Sequence, residues 1–130
     1  MTNSILIGKV IYNTLIEDDV IQSYVGSRVF PLVAEQSTTF PFIVYYRNGV
    51  QNTNYTKDGY SEDSVEFTVI AVSNKYDSSL MIANQIRKVL EKKKITSEDM
   101  VITNIRLVDI DESWSDNSYI QTLNFLCTVN

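Results

Sequence analysis

Runs of alternating apolar and polar residues mark four strands in this chain. Residues 42–51 and 64–73 are rich in β-branched and aromatic side chains, which is typical of strands. Residues 100–112 and 118–130 follow the same pattern, and the polar turn 113–117 joins them. Along the second and fourth strands the alternation predicts one inward face, made of Val65, Phe67, Val69, Ala71, Tyr119, Leu123, Phe125, Cys127 and Val129.

Helical spacing appears in two longer segments and one short one. Ser4 is predicted to cap a helix over residues 5–16, and Asp77 a helix over residues 78–93. A short helix over residues 18–25 would begin at Asp18 or Asp19 and stop at Gly26. The second long helix has an apolar arc of roughly 120°, made of Ile82, Ala83, Ile86, Val89 and Leu90.

The order of these elements predicts an α+β fold. Consecutive strands with short connections favour antiparallel pairing. We therefore expect a mainly antiparallel sheet of four or slightly more strands. An N-terminal helix and a second helix between the strand pairs should pack on one face. A length of 130 residues fits a single domain over residues 1–130.

Both prolines follow phenylalanine, at Phe30-Pro31 and Phe40-Pro41. A proline disfavours the helical conformation in the residue before it, so residues 28–32 should be a short extended segment. Residues 32–39 then form a small, mostly polar loop that leads into the first strand. Residues 52–63 are also polar and are predicted to form an exposed hairpin loop.

The predicted elements carry more apolar surface than one small core needs. The first helix is apolar almost all round, interrupted mainly by Lys9, Asn13 and Thr14. A sheet face left in water is usually polar, yet the predicted second face is apolar. This surplus predicts self-association, unless the strand faces are assigned wrongly or a helix covers the second face within the subunit. The residues placed on the second face are Ile43, Tyr45, Ile70, Val72, Val108, Ile110, Ile120 and Leu126.

Charge and composition narrow the function classes. The formal net charge is −5 and the isoelectric point about 4.6, which argues against specific nucleic-acid binding. No apolar run approaches the roughly 20 residues of a membrane span, so no membrane partner is expected. The first residues lack the basic start and cleavage site of a signal peptide.

Catalytic and metal-binding chemistry has few candidates here. The chain has no histidine and one cysteine, which excludes histidine-based nucleophile pairs and histidine- or cysteine-cluster metal sites. No catalytic residue, cofactor or metal ion is therefore predicted. One enzymatic alternative stays open, a metal-dependent hydrolase using Asp109, Asp111 and Glu112.

Exposed aromatic residues at loop tips are candidate contact residues, because they offer large contact areas with few rotatable bonds. Trp114 lies in a tight polar turn, where it projects into an interface or folds back onto its own hairpin. The full set of predicted protein-contact residues is Ile7, Ile11, Tyr45, Tyr55, Lys57, Tyr60 and Trp114.

The segment IGKVIYNTLIEDDVIQSYVGSRVFPLVAEQSTTFPFIVYYR resembles the first third of the small tail completion proteins of tailed bacteriophages and prophages. These are also called tail terminator or head-to-tail joining proteins. The segment VEFTVIAVSNKYDSSLMIANQIRKVLE resembles their following strand and helix. The resemblance covers residues 5–92 by motif and the rest by topology.

The resemblance implies a non-enzymatic structural protein of the virion tail, assembled in the bacterial cytoplasm. Such proteins form a ring, often a hexamer, that caps the tail tube, stops its growth and docks to the head connector. The implied partners are other copies of the chain, the tail tube protein and the head–tail connector protein, and DNA passes through the ring. The alternative is an acidic adaptor or inhibitor that acts by binding another protein.

Overall fold

The computed structural model describes residues 3–55, 61–91, 94–98 and 100–130, with the backbone alone for 53–55 and 61. Within these described residues, three helices and six strands follow a 3₁₀ turn at Ser4–Leu6. The helices are α1 (Ile7–Ile16), α2 (Asp19–Val25) and α3 (Tyr76–Leu90). The strands are β1 (Val29–Pro31), β2 (Phe42–Tyr55), β3 (Ser61–Ser73), β4 (Lys94–Thr96), β5 (Val101–Ser115) and β6 (Ser118–Val129).

All six strands form one sheet in the order β1-β2-β3-β6-β5-β4. The four central strands are the predicted ones, and their pairing is antiparallel as expected. The sheet nevertheless has two strands more than the four predicted, and one of its pairings is parallel. β1 adds a parallel edge strand beside β2, and β4 adds a short antiparallel strand beside the start of β5. The α+β class is confirmed, and the sheet is mixed.

The helices pack on one face of the sheet, which we call the inner face. At its centre the rings of Phe67 and Phe125 stack with centroids 5.1 Å apart. The inward-facing residues predicted on β3 and β6 are buried, except that Tyr119 is partly exposed. The α3 stripe predicted from helical spacing is buried as well. The alternation along β3 and β6 and the apolar arc of α3 therefore identify residues of the core.

The predicted second face was wrong for three residues. Ile43 and Tyr45 pair with Ala71 and Val69 on β3, so they lie on the inner face and are buried there. Ile110 pairs with Leu123 and also faces the helices. β2 is apolar on both faces, so alternation alone does not orient it, and β5 has two register shifts that change its parity.

The first helix also differs from the prediction. Ser4 does not act as a side-chain cap; its hydroxyl donates to the Asp63 carboxylate, 2.5 Å away, and both residues are buried. A 3₁₀ turn therefore precedes α1. The helix packs against β2, α2 and α3 at once, which explains why its apolar residues occupy so much of its surface.

Several boundaries follow local chemistry. The Asp18 side chain accepts the Ile21 N–H at 2.9 Å and caps α2, and Gly26 ends the helix with φ +58°, as predicted. α3 begins two residues earlier than the predicted Ser78, at Tyr76, with Asp77 inside its first turn. The β2–β3 hairpin is longer than predicted, since β2 runs to Tyr55 and β3 starts at Ser61.

Pro31 helps to prevent a further strand from pairing with β1, which is an edge strand of the sheet. The Arg28 carbonyl and the Leu32 N–H bond to β2, which leaves Val29 and Pro31 facing the open side of β1. Pro31 has no N–H, and the Val29 N–H already donates to Ser27. This edge therefore offers no N–H to template a further strand, which is how natural sheets avoid edge-to-edge aggregation.

Candidate functional site

The end of the β5–β6 hairpin and the start of α3 form a shared aromatic surface. The hairpin turn has Asp116 at φ +52° and Asn117 at φ +60°, the two positive angles of a type I′ turn. This tight turn places Trp114 directly opposite Tyr119, with ring centroids 4.7 Å apart in an edge-to-face arrangement. The Tyr119 ring also contacts Tyr76 at 5.3 Å. The hairpin is thus tied to α3 through three rings.

Hydrogen bonds also join the β5–β6 hairpin to the start of α3, next to these rings. Gln121 donates to the Glu112 carboxylate at 3.0 Å and to the Ser79 hydroxyl at 3.3 Å. A hydrogen bond from the Tyr76 hydroxyl, followed by the one from Gln121, lowers the pKa of Glu112. The same bond raises the pKa of Tyr76. Glu112 therefore acts as a structural acceptor between hairpin and helix.

Beside these rings the inner face opens into an apolar groove between α3 and β5. Its volume is about 380 Å³. Two of the side chains that line it, Ile110 and Met81, are 49% and 48% exposed. Trp114, although it packs on Tyr119, remains 56% exposed. We call the exposed apolar set the hairpin–helix surface; it consists of Tyr76, Leu80, Met81, Ile110 and Trp114.

A second exposed apolar feature follows β1. Leu32 has φ +65°, a conformation that a bulky residue rarely adopts. The Val33 N–H donates to the Pro31 carbonyl at 2.7 Å across it, which makes Leu32 the centre of a γ-turn of the strained type. Leu32 and Val33 are 74% and 75% exposed. We call this pair the apolar turn.

The loop that follows, residues 33–41, covers part of the outer face of the sheet. Phe40 stacks on Phe42 with centroids 5.7 Å apart, and the Phe40–Pro41 peptide bond is cis. Val72, which lines a recess together with this loop, is buried. The outer face is therefore partly covered from within the chain, by a loop rather than by the helix that the sequence allowed for.

The acidic residues of β5 do not converge. Asp111 pairs with Thr122 on the outer face, whereas Glu112 pairs with Gln121 on the inner face. Within residues 3–55, 61–91, 94–98 and 100–130, no group of three or more His, Cys, Asp or Glu side chains could hold a metal ion. The hydrolase alternative has no assembled site in this part of the chain.

Cys127 is buried on the inner face of β6. Burial raises the pKa of its thiol to about 12. A thiol of this kind stays protonated at neutral pH and is a weak nucleophile. Its place in the core agrees with the packing role expected of it.

The structure changes the list of candidate contact residues. Ile7, Ile11 and Tyr45 are buried in the core of the subunit, so their prediction as surface contacts was wrong. The reason is that α1 packs on β1 and β2 and also against α2 and α3. Lys57 and Tyr60 lie outside the described residues.

Tyr55 ends β2, and its side chain likewise lies outside the described part. Trp114 is the one predicted contact residue with a described, exposed side chain, and its role as a contact stays a prediction. Sequence reasoning missed Leu32 and Val33 and the helical residues Leu80 and Met81. Leu80 and Met81 lie outside the predicted α3 stripe, and large apolar residues in that position were the available signal.

These features define a protein that works through its surfaces: a small α+β subunit with an aromatic hairpin, an apolar groove and a strained apolar turn. The family model described as tail completion protein gp17 matches residues 9–119. The chain therefore belongs to the tail completion protein gp17 family and is a structural protein of phage tails. The resemblance noted in the sequence is confirmed.

Solved structures share the fold at low sequence identity. A chain from the virion of a native gene transfer agent particle has a TM-score of 0.71 and 12% identity, over 92% of this chain and 90% of that one. Another solved structure, which carries no functional name, has a TM-score of 0.70 and 10% identity, over 100% and 97% of the two chains. No curated protein matches the chain. In the described part, no helix has both the length and the apolar character needed to cross a membrane.

Proposed function

We propose that copies of this chain, as one domain over residues 1–130, assemble into a six-membered ring. The ring caps the tail tube, stops its growth and joins the tail to the head. Membership of the tail completion family supports this role. The observation that carries it is the hairpin–helix surface, which presents five large apolar side chains to solvent on one side of the subunit.

The composition of this surface favours a protein partner. Aromatic residues and methionine are enriched at the centres of protein interfaces, and Tyr76, Met81 and Trp114 provide them here. The rings are already fixed by contacts with Tyr119. Side chains held in this way lose little conformational freedom on binding, so more of the contact energy appears as affinity.

The ring has two further partners in this proposal, the tail tube protein and the head–tail connector protein. In the sequence, residues 56–60 follow Tyr55, the last residue of β2, and precede Ser61, the first residue of β3. We assign Tyr55, Lys57 and Tyr60 to docking with one of these proteins, because binding residues concentrate on loops that a rigid sheet positions. Assembly takes place in the bacterial cytoplasm, before the tail meets the head.

The net charge of −5 suits a ring through which DNA moves. An acidic ring repels the phosphate backbone at low salt, where screening is weakest. The ring should therefore not bind duplex DNA even at low ionic strength. Tight low-salt binding in a gel-shift or fluorescence anisotropy titration would contradict this part of the proposal.

The adaptor alternative has no support comparable to the family match.

Light scattering over a concentration series at two salt levels tests the ring. We expect a species of six times the chain mass of 14.9 kDa. Purified tube protein, allowed to polymerise with and without this chain, tests the capping role: tubes should stop at shorter lengths when the chain is present. A protein that stays monomeric alone and with tube protein, and leaves tube length unchanged, would refute the proposed function.

A further inference from the structure

Leu32 is held in a costly conformation although its side chain contacts little of its own subunit. Its φ of +65° suits glycine or asparagine far better than leucine. The side chain gains little from folding, since 74% of it remains in solvent. Strained residues persist where the surrounding structure enforces them and a function uses them. The exposed apolar turn therefore points to a contact outside the subunit.

The groove between α3 and β5 is the apolar recess that matches this turn. Leu80, Met81 and Ile110 provide its open side, and buried Leu123 provides its floor. Its volume of about 380 Å³ lies in the range of binding pockets, roughly 300–1,000 Å³. Methionine adapts its shape to an entering side chain. The groove can accept a pair of aliphatic side chains.

The turn and the groove lie at opposite sides of the same sheet. The apolar turn follows β1, the edge strand, while the groove borders β5, and β2, β3 and β6 lie between these two strands. The groove lies on the inner face of the sheet. The loop that continues the turn lies over the outer face, where Ala34 and Glu35 share a recess with Ser115 and Asp116. The turn and the groove therefore do not meet within one subunit. Two different patches that bind each other between copies form a head-to-tail contact, which closes into a ring when the rotation allows.

Charge favours the same pairing. Exposed Glu35 lies three residues after Leu32, and the exposed cations Arg87 and Lys88 lie on the last turns of α3. Arg87 lines the groove and also pairs with Glu91 of its own helix end at 3.0 Å. Two copies of the apolar turn would bring two Glu35 carboxylates together. The pairing of turn with groove instead brings opposite charges near each other, which favours unlike patches over like ones.

We propose that the apolar turn, Leu32 and Val33, of one subunit inserts into the α3–β5 groove of the next copy of this chain. This contact rests on the proposed ring and names the surfaces that form it. It uses only part of the hairpin–helix surface and leaves Trp114, at the far end, free for a different partner.

Engineered disulfides test the contact directly. Two single variants, Leu32→Cys and Met81→Cys, are oxidised separately and as a mixture under the conditions of the light-scattering experiment. The native Cys127 is buried and does not compete. We expect cross-linked dimers in the mixture, and at least about tenfold less in either variant alone. The double variant should give a covalent ladder that ends at the ring.

Each other outcome overturns the inference. Equal cross-linking of Leu32→Cys alone would show a contact between like patches. A ring by light scattering without cross-links in the mixture would show that subunits meet elsewhere, and would leave the proposed function intact. A protein that is monomeric alone and inactive on tubes would overturn the proposed function and this contact together.

A substitution that relieves the backbone strain at Leu32 tests assembly independently of folding. Leu32→Asn suits the positive φ, so the unfolding midpoint should be unchanged or higher, while the dissociation constant of the ring rises at least about tenfold. Ile5→Asn is the matched control, because Ile5 is 75% exposed but lies outside both patches; it should leave assembly unchanged. Equal effects of the two substitutions would contradict the contact.

Discussion

The Nε of Arg28 donates to the carbonyl oxygen of Pro41, 2.9 Å away, and so closes the loop that contains both prolines. The same guanidinium donates to the Tyr24 carbonyl at 3.3 Å, at the end of α2. One partly buried side chain thus joins the second helix, the start of β1 and the entry to β2. The apolar turn and the loop over the outer face are held between these fixed points.

Replacing Arg28 by Met should loosen this loop while keeping most of the apolar stem. Hydrogen bonds to charged groups contribute roughly 1.5–3 kcal/mol each, and we expect a loss of about 2 kcal/mol in unfolding free energy by urea titration. Proteolytic cleavage within residues 32–41 should become faster. Arg106→Met, at an exposed arginine on β5, is the control and should change neither quantity. Unchanged cleavage in the Arg28 variant would contradict the loop-closing role.

Neighbouring residues on β6 should differ strongly in their effect on stability. Phe125 is buried and stacks on Phe67, whereas Leu126 lies on the outer face and is partly exposed. Phe125→Ala should cost about 3–5 kcal/mol, and Leu126→Ala less than half of that. Urea unfolding of both variants measures the ratio. Similar costs would mean that the outer face is as closely packed as the inner one.

The difference between β6 and β2 shows how far sequence reasoning reaches here. β6 alternates between apolar and more polar residues, so its inner face could be assigned from Leu123 and Phe125 alone. β2 is apolar on both faces, and only its register against β3 places Tyr45 inside. Register depends on long-range pairing, which local alternation does not contain.

The candidate site was harder to predict for a related reason. Trp114 could be predicted as a candidate contact residue because it lies in a sequence typical of a turn. The groove at Met81 and Ile110 exists only because α3 lies across β5 and a bulge reverses the parity of that strand. The strain at Leu32 depends on a backbone angle enforced by β2, through the bond from Leu32 to Tyr45. The local sequence places Leu80 and Met81 off the α3 stripe, but it contains neither the shape of the groove nor the backbone angle of Leu32.

The thiol of Cys127 should be inert in the folded protein. It is buried, and its pKa is raised to about 12, so the reactive thiolate is scarce at pH 8. A thiol reagent such as dithionitrobenzoate should label the native protein slowly and the urea-unfolded protein completely. A single Leu32→Cys variant should label one thiol at once and the second only after unfolding. Fast labelling of the native chain would show that β6 opens readily.

Glu91 should make stability depend on pH in the acidic range. Its carboxylate accepts the Leu107 N–H at 2.8 Å and pairs with Arg87 at 3.0 Å, and these contacts, the backbone bond first, lower its pKa. A carboxyl group with a lower pKa in the folded state stabilises the fold above its unfolded pKa. That contribution is lost as the pH falls through the folded value. Glu91→Gln should therefore be less stable than the native chain at pH 7.

The difference between the two proteins should then shrink from about pH 5 to about pH 3, because protonation removes the charge that the variant already lacks. Urea unfolding at several pH values measures it. Glu17→Gln removes the same charge from an exposed residue just after α1, and its effect at pH 7 should be well below that of Glu91→Gln. A difference that stays constant over this range would show that Glu91 stabilises the fold by packing rather than by accepting a hydrogen bond as a carboxylate.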